Sequence, residues 1–137
     1  MAIDFKSFLE CAPHVLNASK PILLRGRHGI GKSELVYQIA ETLELPVVER
    51  RASQMTEGDL LGMPSPELVE VNGEQASVFR PFSWFLRACT EPVVLFFDEV
   101  DRAVTEVRQG LFELTDSRKL AGWTLHPGTR VIAAVNG

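Results

Sequence analysis

"PILLRGRHGIGKSELVYQIAETLELPVVER", residues 21–50, decides the fold. Pro21 to Arg25 read as a short strand that runs into glycines. Leu35, Val36, Ile39, Ala40 and Leu43 then recur at helical spacing, on one face of a helix that stops before Pro46. Pro46 to Arg50 read as a second strand. Strand, helix and strand with such short joints form a βαβ unit, whose two strands run parallel. At the first joint lies "GRHGIGKS", Gly26 to Ser33, which fits G-x-x-x-x-G-K-[ST] without exception. Its glycines let the backbone curl so that successive N–H groups face phosphate oxygens, and the following helix adds the positive end of its dipole. The expected phosphate-binding set is Gly26, His28, Gly29, Ile30, Gly31, Lys32, Ser33 and Glu34, with His28 a loop residue that has no catalytic task. Lys32 would reach the β- and γ-phosphates, and the Ser33 hydroxyl would ligate Mg²⁺. The plain alternative is a glycine-rich turn without a ligand. The strand before and the helix after weigh against it.

Outward from this unit, Phe5, Phe8, Leu9 and Ala12 mark a helix limited by Pro13, within an N-terminal segment 1–20 that precedes the core 21–137. "TEGDLLGMPSP" (Thr56 to Pro66) reads as loop or short helix. Glu67 to Phe79 alternate around Asn72-Gly73, a strong hairpin signal. A helix through Trp84 to Cys89 leads to the strongest strand, "PVVLFF", Pro92 to Phe97. Val104, Val107, Leu111 and Leu114 mark a helix that ends near Ser117. "LAGWTLHPG", Leu120 to Gly128, is a second hairpin-like connection, and it feeds a last apolar strand, Arg130 to Val135. Alternating strands and helices indicate a three-layer α/β sandwich around a parallel sheet. Trp84, Phe82 and Phe85 read as core packing rather than a stacking platform for bases.

With 137 residues the chain fits one domain with one core. A net charge of −4 gives no bulk pull toward nucleic acid or acidic membranes. Cys11 and Cys89 fall in apolar segments and read as buried free thiols of a reducing compartment. The longest apolar stretch is too short to cross a bilayer, and no signal sequence opens the chain. A cytoplasmic protein is expected, with neither membrane nor nucleic acid as partner.

Two further strands end in chemistry. "VVLFFDEV" puts Asp98 and Glu99 at the C-terminal end of a buried strand, the edge at which ligands bind in open α/β sheets. Asp98 would hold Mg²⁺ beside Ser33, and Glu99 would act as base toward an attacking water. "RVIAAVN" brings Asn136 to the same edge, where a neutral amide can hydrogen-bond both water and γ-phosphate without neutralising Glu99. The catalytic set is therefore Glu99, Asn136 and Lys32; the metal set is Ser33 and Asp98.

Together these residues resemble the AAA+ ATPases. "GRHGIGKS" is similar to Walker A, "VVLFFDEV" to Walker B, and "VIAAVN" to the strand that ends in the sensor 1 asparagine. "GDLLGMPSP", the hairpin after it, "DEVDRA" and "GWTLHPGTRVIAAVNG" resemble the MoxR and dynein-related branch, in which one hairpin is inserted in the second helix and another precedes sensor 1. The resemblance implies a P-loop NTPase core that binds ATP with Mg²⁺, works in a homo-oligomeric ring (a hexamer), and remodels a client as a chaperone or motor. An adaptor carrying a VWA domain is an implied partner. It also implies that an arginine finger, a fifth strand and a helical lid follow sensor 1, so the chain is expected to be a truncated core whose activity alone is very low. Arg102, as in "DE-x-x-R", falls near the subunit interface of relatives or is a solvated arginine at a helix start.

Two other functions stay open: a P-loop kinase, which would need an acceptor pocket and a basic lid, and a nucleotide-binding module without hydrolysis. GTP in place of ATP is open as well, since no motif reads the base.

Overall fold

The computed structural model describes residues 5–17, 20–26 and 31–136. Four parallel strands form its main sheet: β1 (Ile22–Gly26), β2 (Val47–Arg51), β5 (Val94–Asp98) and β8 (Arg130–Asn136), in the order β1-β8-β5-β2. The intervening β3 (Met63–Val71) and β4 (Glu74–Arg80), and β6 (Lys119–Leu120) and β7 (Trp123–Thr124), make two small hairpins.

Alternation along the two central strands explains their unbroken apolar sequences, because each face must bury its own set of side chains. Val94 and Phe96 of β5, with Ile132 and Ala134 of β8, turn to one face. There they meet Ala12 and Leu16 of α1 (Phe5–Asn17) and Val36, Ile39 and Ala40 of α2 (Lys32–Leu43). Leu95, Phe97 and Val131 turn to the other face. Leu60 of α3 (Glu57–Leu61), Phe85 and Ala88 of α4 (Ser83–Thr90), and Val107, Leu111 and Leu114 of α5 (Thr105–Ser117) cover them. The result is helices on both faces of a parallel sheet, the expected three layers.

Two expectations need correction. The first helix does not stop at Pro13 but runs through it to Asn17. The missing N–H of an interior proline is costly, and burial of Ala12 and Leu16 on either side of it holds the later turn in place. Cys11 is exposed rather than buried, because its face of α1 points away from α2; Cys89 is half-buried, and both thiols are free. Burial raises the Cys89 pKa from 9.0 to about 11.

The first hairpin is longer than its sequence signal. β3 (Met63–Val71) and β4 (Glu74–Arg80) pair antiparallel around Asn72 (φ 52) and Gly73 (φ 82). Positive φ at both turn positions is the requirement of the type I′ hairpin, which asparagine and glycine meet at least cost. A matching pair, Ala121 (φ 52) and Gly122 (φ 85), closes β6 (Lys119–Leu120) on β7 (Trp123–Thr124). The two hairpins touch: the Trp123 indole donates to the Phe79 carbonyl at 3.0 Å.

Two sites fix the hairpins to the body. At the first, Gly62 sits at φ 85 where β3 begins, and a Cβ there would lie 2.1 Å from the Arg80 carbonyl oxygen. Gly62→Ala should therefore cost about 2–4 kcal/mol, from left-handed strain plus a backbone clash. Urea unfolding measures this; an unchanged midpoint would show that the hairpin base shifts freely. At the second, buried Thr129 donates to the Ala88 carbonyl at 2.8 Å and accepts from the Val93 N–H at 3.4 Å. Arg118 donates to the carbonyls of His126 and Thr129 at 2.9 and 2.7 Å. Burial first, and nearby Arg130 second, lower the Arg118 pKa.

Candidate functional site

All four strands of the main sheet point the same way, so their C-terminal ends share one edge. Gly26 of β1 lies opposite Asn136 of β8, and Arg51 of β2 opposite Asp98 of β5. Such an edge is where ligands of open α/β sheets bind. α2 begins there. Its N-cap, Gly31, adopts φ 69, and no side chain caps the helix. A Cβ on Gly31 would meet nothing closer than Glu34 Oε2 at 3.9 Å, so glycine serves the backbone conformation here rather than space. Uncapped first-turn N–H groups are ready donors for an anion.

Lys32 and Asn136 lie 104 residues apart in sequence and meet directly: Lys32 Nζ donates to Asn136 Oδ1 at 3.1 Å. The same ammonium donates to the Gly26 carbonyl at 3.1 Å and the Val135 carbonyl at 3.2 Å. It thus caps the ends of β1 and β8 together. A phosphate arriving at Lys32 would compete with three acceptors, one of them the Asn136 amide.

Ser33 is half-buried and Glu34 exposed in the first turn of α2, where the Glu34 charge favours the helix dipole. His28, Gly29 and Ile30 of the expected phosphate set lie outside the described residues.

The two adjacent carboxylates part company. Asp98 is half-buried, and its Oδ1 accepts the Glu99 N–H at 2.8 Å. Glu99 takes φ 55, and its own side chain is buried behind a set of polar partners. Ser53 Oγ donates to Glu99 Oε2 at 2.9 Å, Arg51 Nε lies 3.2 Å from the same oxygen, and an Arg102 nitrogen stands 3.6 Å from Oε1. Both arginines are more than half exposed, so solvent screens much of that attraction. The structure therefore gathers Lys32, Asn136 and Asp98 at one edge and turns Glu99 toward the end of β2. Among the described residues, neither Lys32 nor Asn136 hydrogen-bonds or ion-pairs with Glu99. Arg51 and Ser53 were missed from sequence. The signal that would have found them is the neighbour relation between β2 and β5, which no local pattern carries.

Beside Asp98 opens a cavity of about 430 Å³ lined by Glu49, Arg50, Arg51, Gln54 and Asp98. The Arg50 guanidinium rests 5.3 Å from the Trp84 ring centroid, and Trp84 meets Phe97 edge-on at 5.9 Å. Trp84 is a packing residue under the site, as its sequence suggested. Among the described residues no group of three or more His, Cys, Asp or Glu side chains gathers to hold a metal. The Ser33 hydroxyl and the Asp98 carboxylate are hard oxygen donors at the same edge. They suit Mg²⁺, which takes one or two protein oxygens and completes its shell with phosphates and water.

Comparisons with known proteins agree with this fold. A family model for the AAA domain (dynein-related subfamily) matches residues 21–136. Midasin of Giardia intestinalis is 36% identical over 109 residues, covering 76% of this chain and 2% of that protein. An uncharacterized protein of Staphylococcus saprophyticus is 31% identical over 133 residues, covering 91% of this chain and 50% of the relative. A RuvB mutant of Thermotoga maritima superposes with a TM-score of 0.65 over 97% of this chain and 38% of its own, at 17% identity. The chain spans half or less of the length of these relatives. No helix among the described residues is long and apolar enough to cross a membrane.

Proposed function

The chain belongs to the AAA domain family, dynein-related subfamily, and from that premise we propose that it is the nucleotide-binding core of an ATPase that remodels a protein partner. The direct contact of Lys32 with Asn136, at the edge where α2 begins, carries this reading. In it, the uncapped N–H groups of α2 and the Lys32 ammonium hold the β- and γ-phosphates. The Asn136 amide turns from Lys32 to the γ-phosphate and a water. Ser33 and Asp98 would hold Mg²⁺, which would supply positive charge against the charge developing on the phosphates. Glu99 takes a proton from the water once it leaves Ser53 and Arg51. Arginines supplied by a neighbouring subunit complete the charge balance, as a ring of such cores provides.

The hairpins are the proposed client surface of a MoxR-like chaperone or motor, with an adaptor of the VWA type as one candidate partner. Leu68, Val69 and Val71 stand exposed on β3, and apolar groups so placed are common at contact sites.

A second reading, nucleotide binding without turnover, is favoured by the capture of Glu99 by Ser53 and Arg51. Phosphate release measured against protein concentration separates the two. A rate per chain that climbs with concentration, as subunits complete one another's sites, supports the ATPase. ATP bound with only background phosphate release at every concentration would establish the binding module instead.

A further inference from the structure

β8 outruns its neighbour. Pairing with β5 ends at Phe97 and Ala133, while β8 continues to Asn136, still paired on its other side with Gly26 of β1. Past Ala133 the backbone groups of β8 that face β5 have lost their strand partner, and a free N–H there would leave the strand end loose. The chain after Asp98 supplies a substitute. Glu99 at φ 55 sends the backbone into a tight turn, Val100–Arg102, whose Val100 is buried. That turn carries Asp101 back beneath the end of β8, where its Oδ1 accepts the Asn136 N–H at 3.3 Å.

We infer that Asp101 is a positioning residue for Asn136: its carboxylate replaces the missing strand and sets how far the Asn136 amide reaches over the phosphates. This rests on the proposed contact between Asn136 and the γ-phosphate. Asp101 shares an apolar groove with Arg25 and Arg108. Among the described residues, however, no ion pair joins it to either, so surface charge pairing does not account for its place. The same left-handed residue thus sorts two acids of "DEVDRA" to opposite sides, Glu99 toward β2 and Asp101 toward β8. Asn136 is in consequence held at two points, its backbone by Asp101 and its amide by Lys32.

Equilibrium affinities for MgATP and MgADP in the parent, Asp101→Ala, Asp101→Asn and Asn136→Ala test this, together with melting temperatures without nucleotide. A solvent-exposed ionic hydrogen bond of 3.3 Å predicts that Asp101→Ala weakens ATP about threefold. ADP affinity and melting temperature should stay at the parent values. Asp101→Asn, which keeps an acceptor oxygen, should restore most of the loss, and Asn136→Ala should weaken ATP at least as much as Asp101→Ala. If Asn136→Ala weakens ATP alone while Asp101→Ala leaves it untouched, the inference is overturned and the reading of Asn136 survives. If Asn136→Ala changes neither affinity, that reading fails and takes the inference with it. Equal losses for ATP and ADP in Asp101→Ala, or a lowered melting temperature that Asn does not restore, would reduce Asp101 to a structural part and overturn the proposal.

Discussion

Lys32→Ala will abolish the stabilisation that ATP with magnesium confers on this chain. A ligand at a hundred times its dissociation constant stabilises the folded state by about 2.7 kcal/mol, on the order of 10 °C in melting temperature for a domain of this size. That gain depends on folded-state binding, and Lys32 is the cation that joins the ends of β1 and β8 where the phosphates would sit. Its removal also frees the Asn136 amide and two carbonyls, so a modest drop in stability without nucleotide accompanies the loss of response. Lys32→Arg separates the two effects: it keeps the charge, but its planar fork does not fit a site built for a point charge. Thermal unfolding with and without MgATP is the measurement. A full nucleotide shift in the alanine variant would remove the phosphate site from this edge.

Glu99→Gln should separate binding from turnover. The change keeps the shape of the side chain and the hydrogen bond from Ser53, but it removes the base and the ionic attraction of Arg51 and Arg102. General-base catalysis is worth about 10²–10⁴ in rate, so phosphate release should fall by roughly that factor while ATP affinity holds. Single-turnover kinetics check it. Turnover within about threefold of the parent would assign proton removal to another group and leave Glu99 as the anchor of Ser53, Arg51 and Arg102 alone.

The sequence made the strand ends visible because each carries a local mark. Gly26 to Ser33 spell a phosphate loop, Asp98 closes an apolar run, and Asn72-Gly73 demands a turn with positive φ. Helix faces were equally plain, since Val36 with Ile39 and Leu111 with Leu114 repeat at helical spacing. Pairings between strands were not. Nothing near Arg51 says that it will lie opposite Asp98, and nothing near Asp101 says that β8 will outlast β5. Such facts belong to sheet order, a property of the whole chain. The direction taken by Glu99 was hidden for a related reason: a single left-handed residue decides it, and a glutamate gives no sign of that conformation. Pro13 misled in the opposite sense, since its local effect was overruled by the contacts of Ala12 and Leu16.

β8 is the last of the four described strands of the main sheet and lies between the first, β1, and β5. During synthesis at about 5–20 residues per second, β1 waits on the order of ten seconds for β8, its partner among the described strands, to leave the ribosome. Until then the sheet is in two pieces. One is β1 with its helices, open on both edges; the other is β2 with β5, whose Val94 to Phe97 present an apolar edge that invites pairing with the wrong chain. The proposed phosphate site is incomplete in this period, because Asn136 and the Val135 carbonyl, which hold Lys32 at the sheet edge, are still unmade. On the proposed site, nucleotide would protect the nascent chain fully only after its central strand is inserted, and ribosomal stalling before Arg130 would leave the open edges of β1 and β5 exposed to aggregation.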